Sequence, residues 1–187
     1  EIGTGDWSSD VCSSDLFRNL HPRCQKPRNQ HFRTYQSLFL LHLKGINPIV
    51  SPELLKALCE MGHGDELVIA DGNFPCESVG KNAIVIRADG HSTTDILDAV
   101  LSLIPLDTYT EKPVALMEVV KGDNTPTPSI WAEYDKLLNK YEPEHHDIEM
   151  TERFAFYERA KKAYLIIATG ETAIYANVLL KKGVVKV

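Results

Sequence analysis

The sequence predicts an α/β fold, a single domain built as a layered α/β/α sheet, and three observations carry that expectation. Short apolar runs at Leu67–Ala70, Val114–Val120 and Tyr164–Ala168 lack the regular alternation of a half-exposed strand, so each reads as a strand covered on both faces. Between them apolar residues recur every three to four positions, the period of a helix with one buried face. Strands and helices taken in turn build a layered sheet.

The first helix opens at Ser51, a favoured N-cap, with Pro52 at the first helical position and Glu53 complementing the positive helix end. Leu54, Leu55, Leu58 and Met61 form its apolar face, and Gly62 is expected to supply the positive φ of a helix C-terminus. His63 then sits between two glycines, uncrowded and open to other groups. The strand Leu67–Ala70 ends on Asp71, so Asp65, Glu66 and Asp71 are expected to crowd one rim beside the imidazole. In open α/β sheets ligands bind at such a rim.

Asn73 to Gly80 reads as a loop, Ala83–Ile86 as a strand, and Arg87-Ala88-Asp89-Gly90 as the turn closing it. Ser92, Thr93 or Thr94 caps a helix whose inner face carries Ile96, Leu97, Val100, Leu103 and Ile104, and Pro105 ends it. After the third strand, Gly122-Asp123-Asn124 and two prolines mark Lys121 to Pro128 as a loop. Ile130, Tyr134, Leu137, Leu138 and Tyr141 define an amphipathic helix. His145-His146-Asp147 follows Pro143 in a polar stretch and reads as a solvated loop, not a metal site. A helix over Arg153–Ala163, the strand Tyr164–Ala168, the Thr169-Gly170-Glu171 turn and a final strand near Asn177–Leu180 complete the order.

Composition bounds the function. Residues that are 43% hydrophobic and 25% charged are ordinary for a soluble globular domain. A formal charge of −6 offers no net positive field for phosphates, which argues against a nucleic-acid partner. Of 20 basic and 26 acidic residues, six and four fall within residues 1–44, leaving 14 and 22 and a net charge of −8 for the remainder. No apolar run approaches the roughly 20 residues of a membrane span. Cys12, Cys24, Cys59 and Cys76 stand singly, which speaks against a disulfide scaffold or zinc site and for a cytoplasmic setting. Cys59, on the first helix, reads as a packed, reduced thiol. Phosphate loops and nucleophile elbows are absent, and Gly62-x-Gly64 follows a helix where a dinucleotide fingerprint follows a strand. Acid–base chemistry without a cofactor is what these residues permit; an imidazole gives and takes protons near neutral pH.

Residues 1–43 differ from the rest. Asp6 to Leu16 looks like a translated sequencing adapter, and Phe17 to Tyr35 is rich in Arg, Asn, Gln and His with little periodic hydrophobicity, so a disordered or non-native leader is expected. The domain is expected over residues 44–187.

The string Ser51 to Pro75, with Ile86 to Gly90, Leu106 to Tyr109, Glu152 to Ala163, Thr169 to Glu171, Tyr175 to Asn177 and Leu179 to Gly183, resembles the fucose-mutarotase branch of the ribose-pyranase and fucose-mutarotase family. The resemblance implies that family's layered fold and an isomerase that interconverts the α and β anomers of L-fucose without metal or other cofactor. It implies His63 as proton donor, and Asp71, Arg153, Tyr175 and Asn177 as sugar-binding residues joined by Asp107. Carboxylate, guanidinium, phenol and amide together give the mixed donors and acceptors a polyhydroxylated ligand needs. Read without the resemblance, Arg153 pairs with Glu152 or Glu149, Tyr175 is a half-buried core residue and Asp107 caps a turn. Ala176 stands where the fucose branch usually has glycine, as in the ribose branch, so D-ribose pyranase is the alternative; a non-catalytic sugar-binding protein is another. Family members form ring-shaped decamers or smaller oligomers with sites near subunit interfaces, which implies a homo-oligomer here.

Overall fold

Ser51 accepts a hydrogen bond from the Leu54 amide through its side chain and starts helix α1, Pro52–Glu60. The computed structural model describes residues 43–186, and the leader expectation lies, up to residue 42, outside the described residues. Leu54, Ala57, Leu58 and Met61 are buried, but Cys59 is exposed. The expected packed thiol is thus corrected: position 59 falls on the outer side of the stripe set by 54, 57, 58 and 61. Gly62 is corrected too. The left-handed residue after α1 is Gly64 (φ +87°), while the helix ends on extended Met61 (φ −61°, ψ 133°) and Asp65 Oδ2 accepts from the Gly62 amide at 2.7 Å.

The remaining elements are β1 Glu66–Ala70, α2 Cys76–Val79, β2 Ile84–Ala88, α3 Thr93–Leu101, β3 Val114–Met117, α4 Ile130–Tyr141, β4 Ile148–Thr151, α5 Arg153–Ala160, β5 Leu165–Thr169 and β6 Val178–Lys181. Among the described residues the strands form one six-stranded sheet in the order β2-β5-β1-β6-β3-β4. The pairs β1–β5, β2–β5 and β3–β4 are parallel, whereas β6 runs antiparallel to both β1 and β3. Five strands therefore point one way, and the sheet has a carboxyl rim and an amino rim.

Alternate residues of each central strand feed two cores. Leu67, Ile69, Leu165 and Ile167 pack with α1, α3 and α4, while Val68, Ala70, Ile166 and Ala168 pack with Cys76 of α2 and Phe156 of α5. That is the expected three-layer α/β/α arrangement. Two elements were not read from the sequence. Helix α2 lies within the expected Asn73–Gly80 loop, and strand β4 follows the His145–Asp147 turn. None of the helices among the described residues is long and apolar enough to cross a membrane.

Candidate functional site

The expected single rim around His63 is corrected by the length of β1. His63 precedes the strand and Asp71 follows it, and at about 3.3 Å per residue the strand alone holds them roughly 16 Å apart. Asp65 and Glu66 stay with His63 at the amino rim, and Asp71 emerges at the carboxyl rim. Strand β6 repeats the division in reverse, with Asn177 just before it and Lys181 at its end.

At the carboxyl rim, Asp71, Arg153, Tyr175 and Asn177 line one cavity of about 210 Å³, with Asp123 and Met117. Asp71 and Asn177 are 4% and 3% exposed and grip each other twice: the Asp71 amide donates to Asn177 Oδ1 at 3.0 Å and Asn177 Nδ2 donates to Asp71 Oδ2 at 2.8 Å. The second Asp71 oxygen accepts from the Asn73 amide at 2.9 Å. Burial pushes the Asp71 carboxyl above the ordinary range, and bonds from the backbone of Asn73 and Ala176, the Asn177 side chain and the Phe74 backbone pull it back. Beyond Asp71 lies a wider hollow of about 490 Å³, which the other three residues do not reach.

Arg153 opens α5 directly after β4. Glu152 does not pair with it; its carboxylate caps the helix, accepting from the Phe154 and Ala155 amides. Glu149 instead pairs with Arg159 at 2.9 Å, which also grips Glu66 at 2.7 Å. Arg153 lies over the Phe154 ring at 4.6 Å, and its buried Nε has no partner among the described residues. Arg153 is among the residues that line the cavity, and a guanidinium there offers donors to a ligand oxygen.

Tyr175 and Asn177 do not reach the cavity as neighbours on an extended strand. Tyr175 is left-handed, with φ 58°, which is costly for a bulky side chain. Two α4 side chains hold the turn: Trp131 Nε1 donates to the Tyr175 carbonyl at 2.9 Å and the Tyr134 hydroxyl to the Ala176 carbonyl at 2.8 Å. The Tyr134 hydroxyl also lies 2.5 Å from Thr93 Oγ1, which donates to Glu171 Oε2 at 3.3 Å. The Tyr175 hydroxyl donates to Asp123 Oδ2 at 2.7 Å. Asp123 was not singled out from the sequence; Gly122-Asp123-Asn124 reads there as a turn signal and nothing more.

At the amino rim, Asp107 faces His63 and not the cavity. His63 Nε2 lies 3.0 Å from Asp107 Oδ1, with the imidazole 47% and the carboxylate 3% exposed. Burial works against the Asp107 charge, but the Thr110 hydroxyl (2.6 Å), the Tyr109 amide (3.0 Å) and His63 hold its carboxyl well below the usual range. An ionised carboxylate can only accept, so Nε2 carries the proton and Nδ1 is the nitrogen left to exchange one. Tyr109 meets the imidazole edge-on at 5.4 Å. His145 and His146 bond to the carbonyls of Thr110 and Glu142 at 2.7 and 2.6 Å.

The model of the RbsD / FucU transport protein family matches residues 44–185. The chain is 50% identical over 149 residues to a human protein named fucose mutarotase, covering 78% of this chain and 96% of that one. The crystal structure of FucU from Bifidobacterium longum superposes with a TM-score of 0.74 at 60% identity, covering 76% of this chain and all of that one. A fucose mutarotase from Streptococcus pneumoniae in complex with L-fucose gives 0.72 at 47% identity, over 77% and 100% of the two chains.

Proposed function

The chain belongs to the RbsD / FucU transport protein family, and from that premise we propose that residues 44–187 act as an L-fucose mutarotase, interconverting the α and β anomers by acid–base opening and closure of the ring. The observation that carries this reading is the cavity joining Asp71, Asn177, Tyr175 and Arg153, beside a fold whose other rim presents a histidine backed by a carboxylate. The relative that holds L-fucose, at 47% identity, supports the substrate.

Opening the hemiacetal needs a proton on the ring oxygen and removal of the anomeric hydroxyl proton. His63 as the imidazolium gives the first from Nδ1, and Asp107 stabilises that cation while fixing its orientation. The Asp71 carboxylate takes the anomeric proton, closure of the ring returns both protons, the Tyr175 oxygen accepts a hydrogen bond, and Arg153 and Asn177 hold ring hydroxyls. The opened aldehyde rotates about one bond and closes on its other face. Water performs the same reaction slowly, so positioned proton transfer accounts for the acceleration.

One chain does not bring His63 to its own cavity. The function therefore rests on a cytoplasmic homo-oligomer in which the amino rim of one copy meets the carboxyl rim of another. Exposed apolar side chains on both rims support it: Tyr109 (74%) and Val185 (62%) on one, Phe154 (62%) and Ile174 (48%) on the other. A ring-shaped assembly is one form this contact takes.

Ribose is the second reading, motivated by Ala176. That residue is fully buried and does not line the cavity, so its methyl group does not meet the sugar. Magnetization-transfer NMR on equilibrated sugars tests both. Catalytic amounts of protein are expected to speed α/β exchange of L-fucose more than interconversion of D-ribose, and His63→Ala to lose about 10²- to 10⁴-fold. Unchanged fucose exchange with the wild type rejects the enzyme. Equal exchange for wild type and variant, with fucose binding retained, favours a non-catalytic sugar binder.

A further inference from the structure

We propose that Asp123 is a positioning residue that fixes the polarity of Tyr175, taking the phenol's only proton so that the oxygen meets the sugar solely as a hydrogen-bond acceptor. This rests on the sugar-site reading above and adds a residue from outside its elements, in the loop between β3 and α4. The geometry divides the work of the carboxylate. Asp123 Oδ1 accepts from the Thr125 amide at 3.0 Å and the Thr125 hydroxyl at 2.7 Å, which pins the side chain and leaves Oδ2 to the Tyr175 hydroxyl at 2.7 Å. A hydroxyl has one proton and two lone pairs. With the proton committed to a carboxylate, a charge-assisted bond stronger than a neutral one, the lone pairs are what Tyr175 offers the cavity it lines with Asp71 and Arg153.

The loop and the helix after it thus hold Tyr175 at both ends, Asp123 at the hydroxyl and Trp131 at the carbonyl. A left-handed tyrosine, with φ 58°, persists only where its surroundings over-determine it. The Asp123 carboxylate is also the leading cause that holds the phenol above its ordinary range, while Arg153, across the cavity, works in the other direction. Asp123 is exposed and takes no part in either core, and Trp131 still holds the Tyr175 carbonyl, so Asp123→Ala is expected to fold, as its unfolding midpoint would show.

The test compares wild type, Asp123→Ala, Tyr175→Phe and the double variant. Asp123→Ala is expected to lower kcat/KM for L-fucose exchange by on the order of tenfold, as loss of one charge-assisted bond does. In the Tyr175→Phe background the same change is expected to cost almost nothing, because the group it orients is gone. A second readout needs no activity: the Tyr175 ζ-carbon resonance, assigned by its loss in Tyr175→Phe, should titrate at lower pH in Asp123→Ala than in wild type. Equal loss in both backgrounds, or an unmoved titration, overturns the proposal. If the wild type fails to speed exchange, the mutarotase reading falls and the titration alone judges Asp123.

Discussion

Two buried carboxyls at opposite ends of β1 are pushed in opposite directions, and the difference is local. Asp71 accepts from the Asn73 amide and the Asn177 side chain, yet burial outweighs these bonds and raises its pKa. Asp107 is buried as deeply, at 2% exposure, but Thr110, Tyr109 and His63 all donate to it and keep it ionised. The consequence for stability follows from linkage. A carboxyl depressed on folding contributes stability above its unfolded value of about 3.9 and loses it as pH falls through the folded value. Acid titration of unfolding midpoints from pH 5 to pH 2 should therefore show wild type losing stability more steeply than Asp107→Asn, with the gap closing at the acid end. Parallel curves would mean that the Asp107 carboxyl is not held below its unfolded value by Thr110, Tyr109 and His63 together.

At the scale of the elements, the joints between strands are tighter than their sequences suggest. Gly170 lies where the end of β5 crosses the turn after β2: a Cβ there would meet the Asp89 carbonyl oxygen at 2.0 Å, with the Gly170 amide bonded to the His91 carbonyl at 3.0 Å. Backbone cannot give way as a side-chain tip can, so Gly170→Ala is expected to cost about 1–3 kcal/mol as overpacking, read as a lower urea midpoint at an unchanged slope. An unchanged midpoint would show that the joint relaxes. What was legible in the sequence tracks the strength of local signals. Ser51-Pro52 and the stripe through Leu58 announced α1, and the unbroken run Leu67–Ala70 announced β1 with both faces covered. Strand β4, Ile-Glu-Met-Thr, did not show itself, because only one edge of it pairs, to β3, and its half-exposed residues alternate too briefly. Helix α2 has four residues and no side-chain cap, so Pro75 and Gly80 read there as loop. The pairing of Asp107 with His63 and the grip of Trp131 on Tyr175 each join residues 44 apart in sequence, and no local pattern records them.

The whole molecule decides whether the site is complete, and here local reading ran out soonest. His63 and Asp71 are eight positions apart, and a strand of five residues between them turns that nearness in sequence into opposite rims. If active sites form where the amino rim of one copy meets the carboxyl rim of the next, each intact site needs His63 from one chain and Asp71 from another. His63→Ala and Asp71→Ala should then each be inactive alone, yet co-expressed and purified together they should recover activity. Random assembly of equal amounts leaves both needed side chains native at about one junction in four, for a contact between two different patches, so recovery near one quarter of the wild-type exchange rate is expected by magnetization-transfer NMR. The same mixture prepared from the two homo-oligomers without subunit exchange should stay inactive. Were His63 to serve the cavity of its own chain, every site in the co-assembled mixture would carry one defect, and no recovery would be seen at any ratio.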